Sequence, residues 1–278
     1  MPRLPRRPRA AITGAGSGFG RALALVLAKR GARLVVSDID EDGLEQTLRQ
    51  VRMAGAEARS IPCDVRNPEE VEAMAALADE AFDGVDLVVN NAGVAVAGPV
   101  GEVSLEDWRW QLDINLFGVI HGCHAFVPRL KKQGSGFVLN VASSAGLLNA
   151  PLMAPYNVSK AGVISLSETL YTECRSRGVH VSALCPTFFK TRIHESLRGT
   201  DPELKQAATR MVTTSSWTAE RIAEIALRDM QRGKVIIVPQ TDGRLMWRLK
   251  RSLPQRFPQL VSKLFGGRAG RRVVEKMA

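Results

Sequence analysis

Cysteine is scarce in this chain, and what there is does not pair. Cys63, Cys123, Cys174 and Cys185 stand far apart among 278 residues, with no CxxC, so a disulfide framework and a thiolate metal site both lack a basis. All but Cys63 sit among apolar or small neighbours and read as buried thiols, which suits a reducing, cytoplasmic compartment. Long apolar runs are missing too. Nothing approaches the roughly 20 residues that span a bilayer, and Met1 to Ala11 lacks the apolar core of a secretory signal. Histidine is sparse; His121 and His124 lie three apart, but no carboxylate or cysteine gathers with them, so helix-interior roles are expected and no metal.

Acidic residues are nearly absent from the two ends. Residues 1–9 hold four arginines and no acid, and residues 244–276 carry ten Lys/Arg against Glu275 alone, whereas Ala10 to Gly243 has 24 basic and 27 acidic residues. The net charge of +10 therefore describes a slightly acidic body with basic ends. A nucleic-acid binder would rest on those ends alone, without interleaved aromatics or a recognisable module, and is not expected. The expected organisation is one nucleotide-binding catalytic domain over 1–243, with 1–8 a basic arm, followed by a basic amphipathic tail over 244–278.

Within the body, short β-rich apolar runs alternate with longer amphipathic ones. Ala10 to Thr13, Arg33 to Ser37, Glu57 to Ile61, Asp86 to Val89, Gly136 to Val141, Val179 to Leu184 and Val235 to Val238 read as strands. Helical patterns cover Arg21 to Lys29, Asp42 to Met53, Pro68 to Phe82, Leu105 to Lys131 with a break near Asn115, Ala154 to Arg177 and Thr218 to Arg232. This order predicts an α/β fold: a doubly wound, Rossmann-like parallel sheet of about seven strands with helices on both faces and a helical C-terminal extension. Ligands in such folds bind beyond the carboxyl ends of the strands.

At the first such end stands Thr13-Gly14-Ala15-Gly16-Ser17-Gly18-Phe19-Gly20, opening into a helix. Free N–H groups and the helix dipole attract a pyrophosphate there, and glycines permit its close approach. Asp38, about 20 residues on at the end of the second strand, is placed to accept from the hydroxyls of an adenosine ribose. It would repel a 2′-phosphate, and with Ser17 and Ile39 nearby no basic residue is expected to neutralise one, so NAD is favoured over NADP. Asp40 or Glu41 can cap the next helix in its place.

Tyr156 and Lys160 are four apart in a helical pattern and share a face. A phenol with a pKa near roughly 10 becomes a useful base at neutral pH only if a cation stabilises the phenolate, as a neighbouring ammonium does. Taken together, GxxxGxG over Gly14, Gly18 and Gly20, Asn90-Asn91-Ala92-Gly93, Ser143 thirteen residues before Tyr156, and Tyr156-x-x-x-Lys160 resemble the short-chain dehydrogenases/reductases over about residues 8 to 240. The resemblance implies an oxidoreductase that moves hydride between a nicotinamide and an alcohol or ketone. In it Tyr156 exchanges the proton, Ser143 holds the reacting oxygen, Lys160 lowers the Tyr156 pKa and binds the nicotinamide ribose, and Asn115 supports a water chain from Lys160. It places Gly14, Ser17, Gly18, Phe19, Gly20 and Asp38 on the cofactor, with Asp64 and Val65 at the adenine and Asn91, Ala92 and Gly93 beside it. Asn90 braces the sheet. Tyr156, Lys160, Pro186 and Thr191 complete the cofactor contacts. Relatives form dimers or tetramers through the helices containing Asn115 and Tyr156.

One departure stands out. Where the family has Pro-Gly, this chain has Pro186-Thr187, so either the turn differs or the position never needed a left-handed conformation. An extended-family epimerase would carry GxxGxxG, an enoyl reductase would space Tyr and Lys wider, and a nucleotide sensor without catalysis would have lost the Asn-Ser-Tyr-Lys set. Apolar residues over Ala145 to Met153, with Met211, Val212 and Trp217, imply a hydrophobic substrate, or else pack a lid. Trp108 and Trp110 read as packing or subunit contact.

In the tail, Leu245, Leu249 and Leu253 form one helical stripe and Arg244, Arg248 and Arg251 another; Pro254 and Pro258 interrupt, and Phe257, Leu260, Val261, Leu264 and Phe265 resume an apolar face. Two readings stay open: packing on the body or a partner subunit, and peripheral attachment to an anionic membrane. Both hold at once if the apolar residues face the protein and the arginines the lipid.

Overall fold

A computed structural model describes residues 3–199 and 202–265. Nine strands and eleven α-helices are formed among these residues. The strands are β1 Arg9–Thr13, β2 Arg33–Asp38, β3 Glu57–Pro62, β4 Leu87–Asn90, β5 Val96–Ala97, β6 Gly136–Val141, β7 Val179–Leu184, β8 Arg198–Gly199 and β9 Ile236–Ile237. The helices are α1 Gly18–Ala28, α2 Glu41–Met53, α3 Pro68–Phe82, α4 Leu105–Leu112, α5 Gly118–Gln133, α6 Ser144–Leu148, α7 Ala154–Cys174, α8 Pro202–Thr213, α9 Ala219–Gln231, α10 Thr241–Ser252 and α11 Arg256–Phe265.

Seven strands form a parallel sheet in the order β3-β2-β1-β4-β6-β7-β9. Side chains alternate across a strand, so each strand feeds two cores. Ile12, Leu34, Val36, Leu87, Val89 and Leu139 pack with Leu23, Leu27, Ile222 and Leu227 from α1 and α9. Ala11, Val35, Val88, Val138 and Val181 pack with Met74, Phe126, Leu130 and Val163 from α3, α5 and α7. Burial on both faces explains why these strands read as apolar runs.

The strand order reverses between β1 and β4, which opens a crevice at their carboxyl ends. Caps fix several of the helices around it: Asp40 accepts from Gly43 N, Asn67 from Glu69 N with Pro68 at the first position, and Thr218 from Arg221 N. Asp40, not Asp38, thus caps α2. The arm is laid along the body, where Leu4 N donates to Gln231 Oε1 and Leu4 packs on the core. Arg9 pairs with Asp86 at 2.7 Å in a half-buried contact.

Four expectations need correction. The helix expected to break near Asn115 continues from α4 into α5 through a π-helical turn, Asp113–Phe117. The segment 154–177 ends its α-helix at Cys174 and closes with a 3₁₀ turn, Arg175–Arg177. A second, two-stranded sheet pairs β5 with β8, and α8 follows it; two-residue strands leave no periodicity to read. Pro258 does not interrupt the tail, because it falls in the first turn of α11, where backbone N–H groups have no helical partner in any case; the break comes at Leu253 and Pro254, between α10 and α11.

Candidate active site

Ser17, before α1, is extended and its side chain makes no capping bond. The first-turn N–H groups of α1 therefore have no side-chain acceptor, in contrast to α2, α3 and α9. Around this turn the backbone is packed too closely for side chains. Gly14 has φ +64°, and a Cβ on it would lie 2.7 Å from Ala92 Cα. A Cβ on Gly20 would overlap the Gly14 carbonyl. Asn91 at the end of β4 stitches the two strand ends together: its Nδ2 donates to Thr13 O (2.9 Å) and Gly14 O (2.8 Å), and its backbone N to Thr13 Oγ1 (3.0 Å). Ala92 N donates to the same hydroxyl.

Asp38 is half-buried and accepts from Gly16 N at 2.7 Å and Asp40 N at 3.0 Å, so the carboxylate braces the glycine turn. Ile39 is 69% exposed. Arg21 is a cation of this region that the sequence reading passed over, but it is committed: Nε donates to Thr47 Oγ1 (2.8 Å), and its guanidinium bonds the Gly16 and Gly43 carbonyls. Asp64 forms an ion pair with Arg66 at 2.5 Å, and that bonding lowers its pKa. Val65 packs where a Gly118 side chain would be and accepts from His121 Nδ1 at 2.8 Å. His124, one helical turn on from half-buried His121, is exposed rather than helix-interior. Among the described residues no cluster of metal-ligating side chains occurs.

The π-turn carries Asn115 into the interior, fully buried. Its Oδ1 accepts from Val94 N (2.8 Å) and its Nδ2 donates to Val94 O (2.9 Å) and Ser159 Oγ (3.3 Å). Gly93, next to Val94, lies against both Asn115 Oδ1 and Lys160 Nζ. Lys160 is buried; its Nζ donates to Val141 O (2.8 Å) at the end of β6 and lies 5.8 Å from the Tyr156 ring centroid. Ser143 begins α6 and its hydroxyl accepts from Ala145 N. Asn115, Ser143, Tyr156 and Lys160 therefore converge from three segments, the π-turn, the start of α6 and α7.

Burial governs the proton affinities. It pushes the Tyr156 phenol up to about 12, although the residue as a whole is half-buried, while hydrogen bonding with Ser143 pulls it back. It pushes the Lys160 ammonium down to about 8. The Tyr156 phenol is thus governed by its own burial, and the influence that opposes it is the hydrogen bond with Ser143.

After β7, Pro186 O accepts from Ser144 N (2.9 Å), tying this turn to α6. Thr187 has no positive φ, so a β-branched residue fits without strain. Its N donates to buried Gln240 Oε1 (3.0 Å), and its methyl faces Gly243, where a Cβ would sit 2.8 Å away. Thr191 Oγ1 lies against Gly18, 2.8 Å from where a Cβ would be, which brings the 186–191 turn over the glycine cradle. Phe19 is buried and packs edge-on to Phe189.

The surroundings of Tyr156 are apolar. Tyr156 packs with Ala95, Ala97, Ile193, Leu197 and Ala208, a set drawn from the small sheet, its flanking turn and α8. Trp217 is not part of it: the indole packs on the main core and stacks with Arg221, 4.0 Å from its centroid. Trp110 stacks with Arg198 at 3.7 Å. Leu152, between Ser143 and Tyr156, is held at φ +61°, while its carbonyl accepts from Gly98 N. A cleft of about 450 Å³ lies beside this loop, lined by Leu148, Pro151, Phe257 and Val261 among others.

Besides Arg21, two residues escaped the sequence reading. Ser159, buried, donates to Tyr156 O (2.8 Å) and accepts from Asn115; its place beside Lys160, on the helix face turned inward, was the available signal. Asn140 accepts from Asn90 Nδ2 (2.8 Å) and donates to Ser167 Oγ (3.0 Å), a buried chain that makes Asn90 a brace of the sheet. A lone Asn in a buried strand was its only signal.

Comparison with known proteins agrees with this construction. A family model described as short chain dehydrogenase matches residues 8–202. The chain belongs to the short-chain dehydrogenase/reductase family of oxidoreductases. A 3beta-hydroxysteroid dehydrogenase 1 from Eggerthella lenta is 36% identical over 203 residues, 72% of this chain and 77% of that protein. "Probable oxidoreductase EphD" of Mycobacterium tuberculosis is 32% identical over 253 residues, 88% of this chain but 43% of that protein, so the chain spans less than half the length of this relative. A short-chain dehydrogenase/reductase from Burkholderia phymatum, crystallised with NAD, superposes with a TM-score of 0.85 at 37% identity, covering 90% of this chain and 94% of the other.

Proposed function

We propose that the protein interconverts a secondary alcohol and a ketone on an apolar molecule of steroid or lipid type, with NAD(H) as the hydride carrier and Tyr156 as the acid/base. The observation that carries this reading is the convergence of Tyr156, Lys160, Ser143 and Asn115 at the crevice, with Tyr156 set in an apolar cluster. The nicotinamide, when bound, accepts or supplies the hydride. The glycine turn fits such a dinucleotide, since side chains at Gly14, Gly18 and Gly20 would collide with the surrounding backbone or Thr191. Residues that would hold it are those of this turn, Ser17, Phe19, Asp38, Asp64, Val65, Asn91, Ala92, Gly93, Tyr156, Lys160, Pro186 and Thr191.

Tyr156 donates its proton to the ketone oxygen or takes one from the alcohol, and Ser143 holds that oxygen by a hydrogen bond. Lys160, with its amine anchored on Val141 O, offsets charge on the phenolate. Asn115 clasps Val94 and so fixes Gly93 beside Lys160, where a water chain would deliver protons. Asp38 favours NAD over NADP, since its carboxylate would repel a 2′-phosphate and Arg21 has its donors engaged. Exposed Phe117 and Val158, on the helical segments carrying Asn115 and Tyr156, support a homodimer or homotetramer built on that face.

A panel of hydrophobic ketones and secondary alcohols assayed with NADH, NADPH and their oxidised forms tests the reading. Turnover with hydrophobic members and higher kcat/KM with NAD(H) is expected; turnover confined to small polar alcohols, or preference for NADP(H), would overturn it.

A further inference from the structure

The tail helices are turned the opposite way from a helix that merely packs. On α10 the face against the body is Gly243, Trp247 and Lys250: Gly243 is buried beside Thr187, Trp247 packs on the core, and Lys250 Nζ donates to Leu147 O (2.7 Å). Leu245 and Leu249 point away from it and are 66% and 39% exposed. Met246 is exposed as well. On α11, Phe257 is buried, but farther along the same helix Leu260 and Leu264 are exposed. The expected arrangement, with the leucines on the protein and the arginines toward lipid, is therefore corrected: among the described residues, leucines and basic side chains share the outward surface.

The charge of that surface has one sign. From Arg244 to Phe265 there are six basic residues and no acidic one, and Arg244, Arg248, Arg251, Arg256 and Lys263 are exposed. Arg251 lies 5.4 Å from the Trp247 ring centroid, a placement that holds its guanidinium beside the helix. Two consecutive amphipathic helices with outward leucines among cations, and with Asp242 beside Thr187 in the first turn of α10 as the one acid among their described residues, match an interface whose surface is anionic and whose interior is apolar. A protein partner would need carboxylates and an apolar groove in register; a bilayer supplies both without register.

We propose that the outward surface of α10 and α11 docks the enzyme on an anionic lipid bilayer, the leucines entering the headgroup boundary and the arginines meeting lipid phosphates. The Gly-Arg-rich stretch beyond residue 265, which the sequence reading counts toward the same basic tail, lies outside the described residues.

The test is co-sedimentation of the full chain with phosphatidylcholine vesicles, with and without phosphatidylglycerol, at low and high salt, alongside Leu245→Glu/Leu249→Glu and Arg248→Gln/Arg251→Gln variants. Binding is expected only to the phosphatidylglycerol vesicles and is expected to weaken with salt. The arginine pair should weaken it roughly thirtyfold, on the basis of about fivefold per charge, and the glutamate pair should abolish it, while both variants keep the size and circular dichroism of the parent. No binding to anionic vesicles at low salt would overturn the proposal, as would equal binding to pure phosphatidylcholine. So would a fall in oligomer size in the Leu245→Glu/Leu249→Glu variant, which would make this face a subunit interface.

Discussion

On the cofactor side of the crevice backbone lies against backbone: Gly20 against the Gly14 carbonyl, Gly14 against Ala92, and Asn91 bonded to both strand ends. On the substrate side the wall is assembled from a two-residue strand pair, a 3₁₀ turn and α8, closed by small and aliphatic side chains around Tyr156. The first leaves no freedom for a side chain; the second is held by side-chain packing that tolerates exchange. The difference teaches that, on the proposed function, dinucleotide binding would be a property of the main chain and substrate choice a property of replaceable residues on short elements.

That contrast can be broken from either side. The largest effect is expected at the chemistry between them. Tyr156→Phe should lower kcat by about a hundredfold to ten-thousandfold, with NADH affinity, read by fluorescence titration, nearly unchanged. Gly20→Val on the cofactor side should destabilise the fold by about 1–3 kcal/mol and remove NADH binding, measured by thermal melting with and without NADH. Asp38→Ala should narrow the preference for NADH over NADPH by about tenfold to a hundredfold in kcat/KM, as loss of a hydrogen bond to a charged group of about 1.5–3 kcal/mol implies. Leu152→Gly, on the substrate side, releases a left-handed conformation that costs a leucine roughly 1–2 kcal/mol. It should leave the melting temperature equal or slightly higher while raising KM for the apolar substrate, since the loop between Ser143 and Tyr156 gains freedom. A lower melting temperature would show that the Leu152 side chain matters more than its backbone.

The same contrast governs what could be read in advance. Of the six longer strands, all but the edge strand β3 were legible because both faces are buried, as Val35 and Val36 are, and α3 was located to the residue because Asn67 and Pro68 mark its start. Gly14, Gly18, Asn115, Ser143, Tyr156 and Lys160 could be singled out as candidates because fixed spacing on a strand end or a helix face leaves a pattern. The π-turn at Asp113–Phe117 was seen only as a break, since one inserted residue shifts the period without ending the helix. The β5–β8 pair and the Tyr156 cluster with Ile193 and Leu197 were illegible because they join residues far apart in the chain through contacts that no local period encodes. The outward leucines of α10 were misjudged because amphipathicity names two faces but not which one meets the body; Trp247, packed beside Gly243 and Lys250, decides that.

The central claim is that Tyr156 and Lys160 hold the proton that the reaction exchanges, and kcat/KM against pH in both directions tests it most directly. Lys160 is pushed down to about 8 and Tyr156 up to about 12, so the pair loses its first proton near pH 8 and then shares the one that remains. Alcohol oxidation needs the pair to accept a proton and should rise as the pH passes about 8; ketone reduction needs the pair fully protonated and should fall across the same interval. Profiles that move in parallel, or a reduction rate unchanged well above that pH, would contradict a proton held by these two residues.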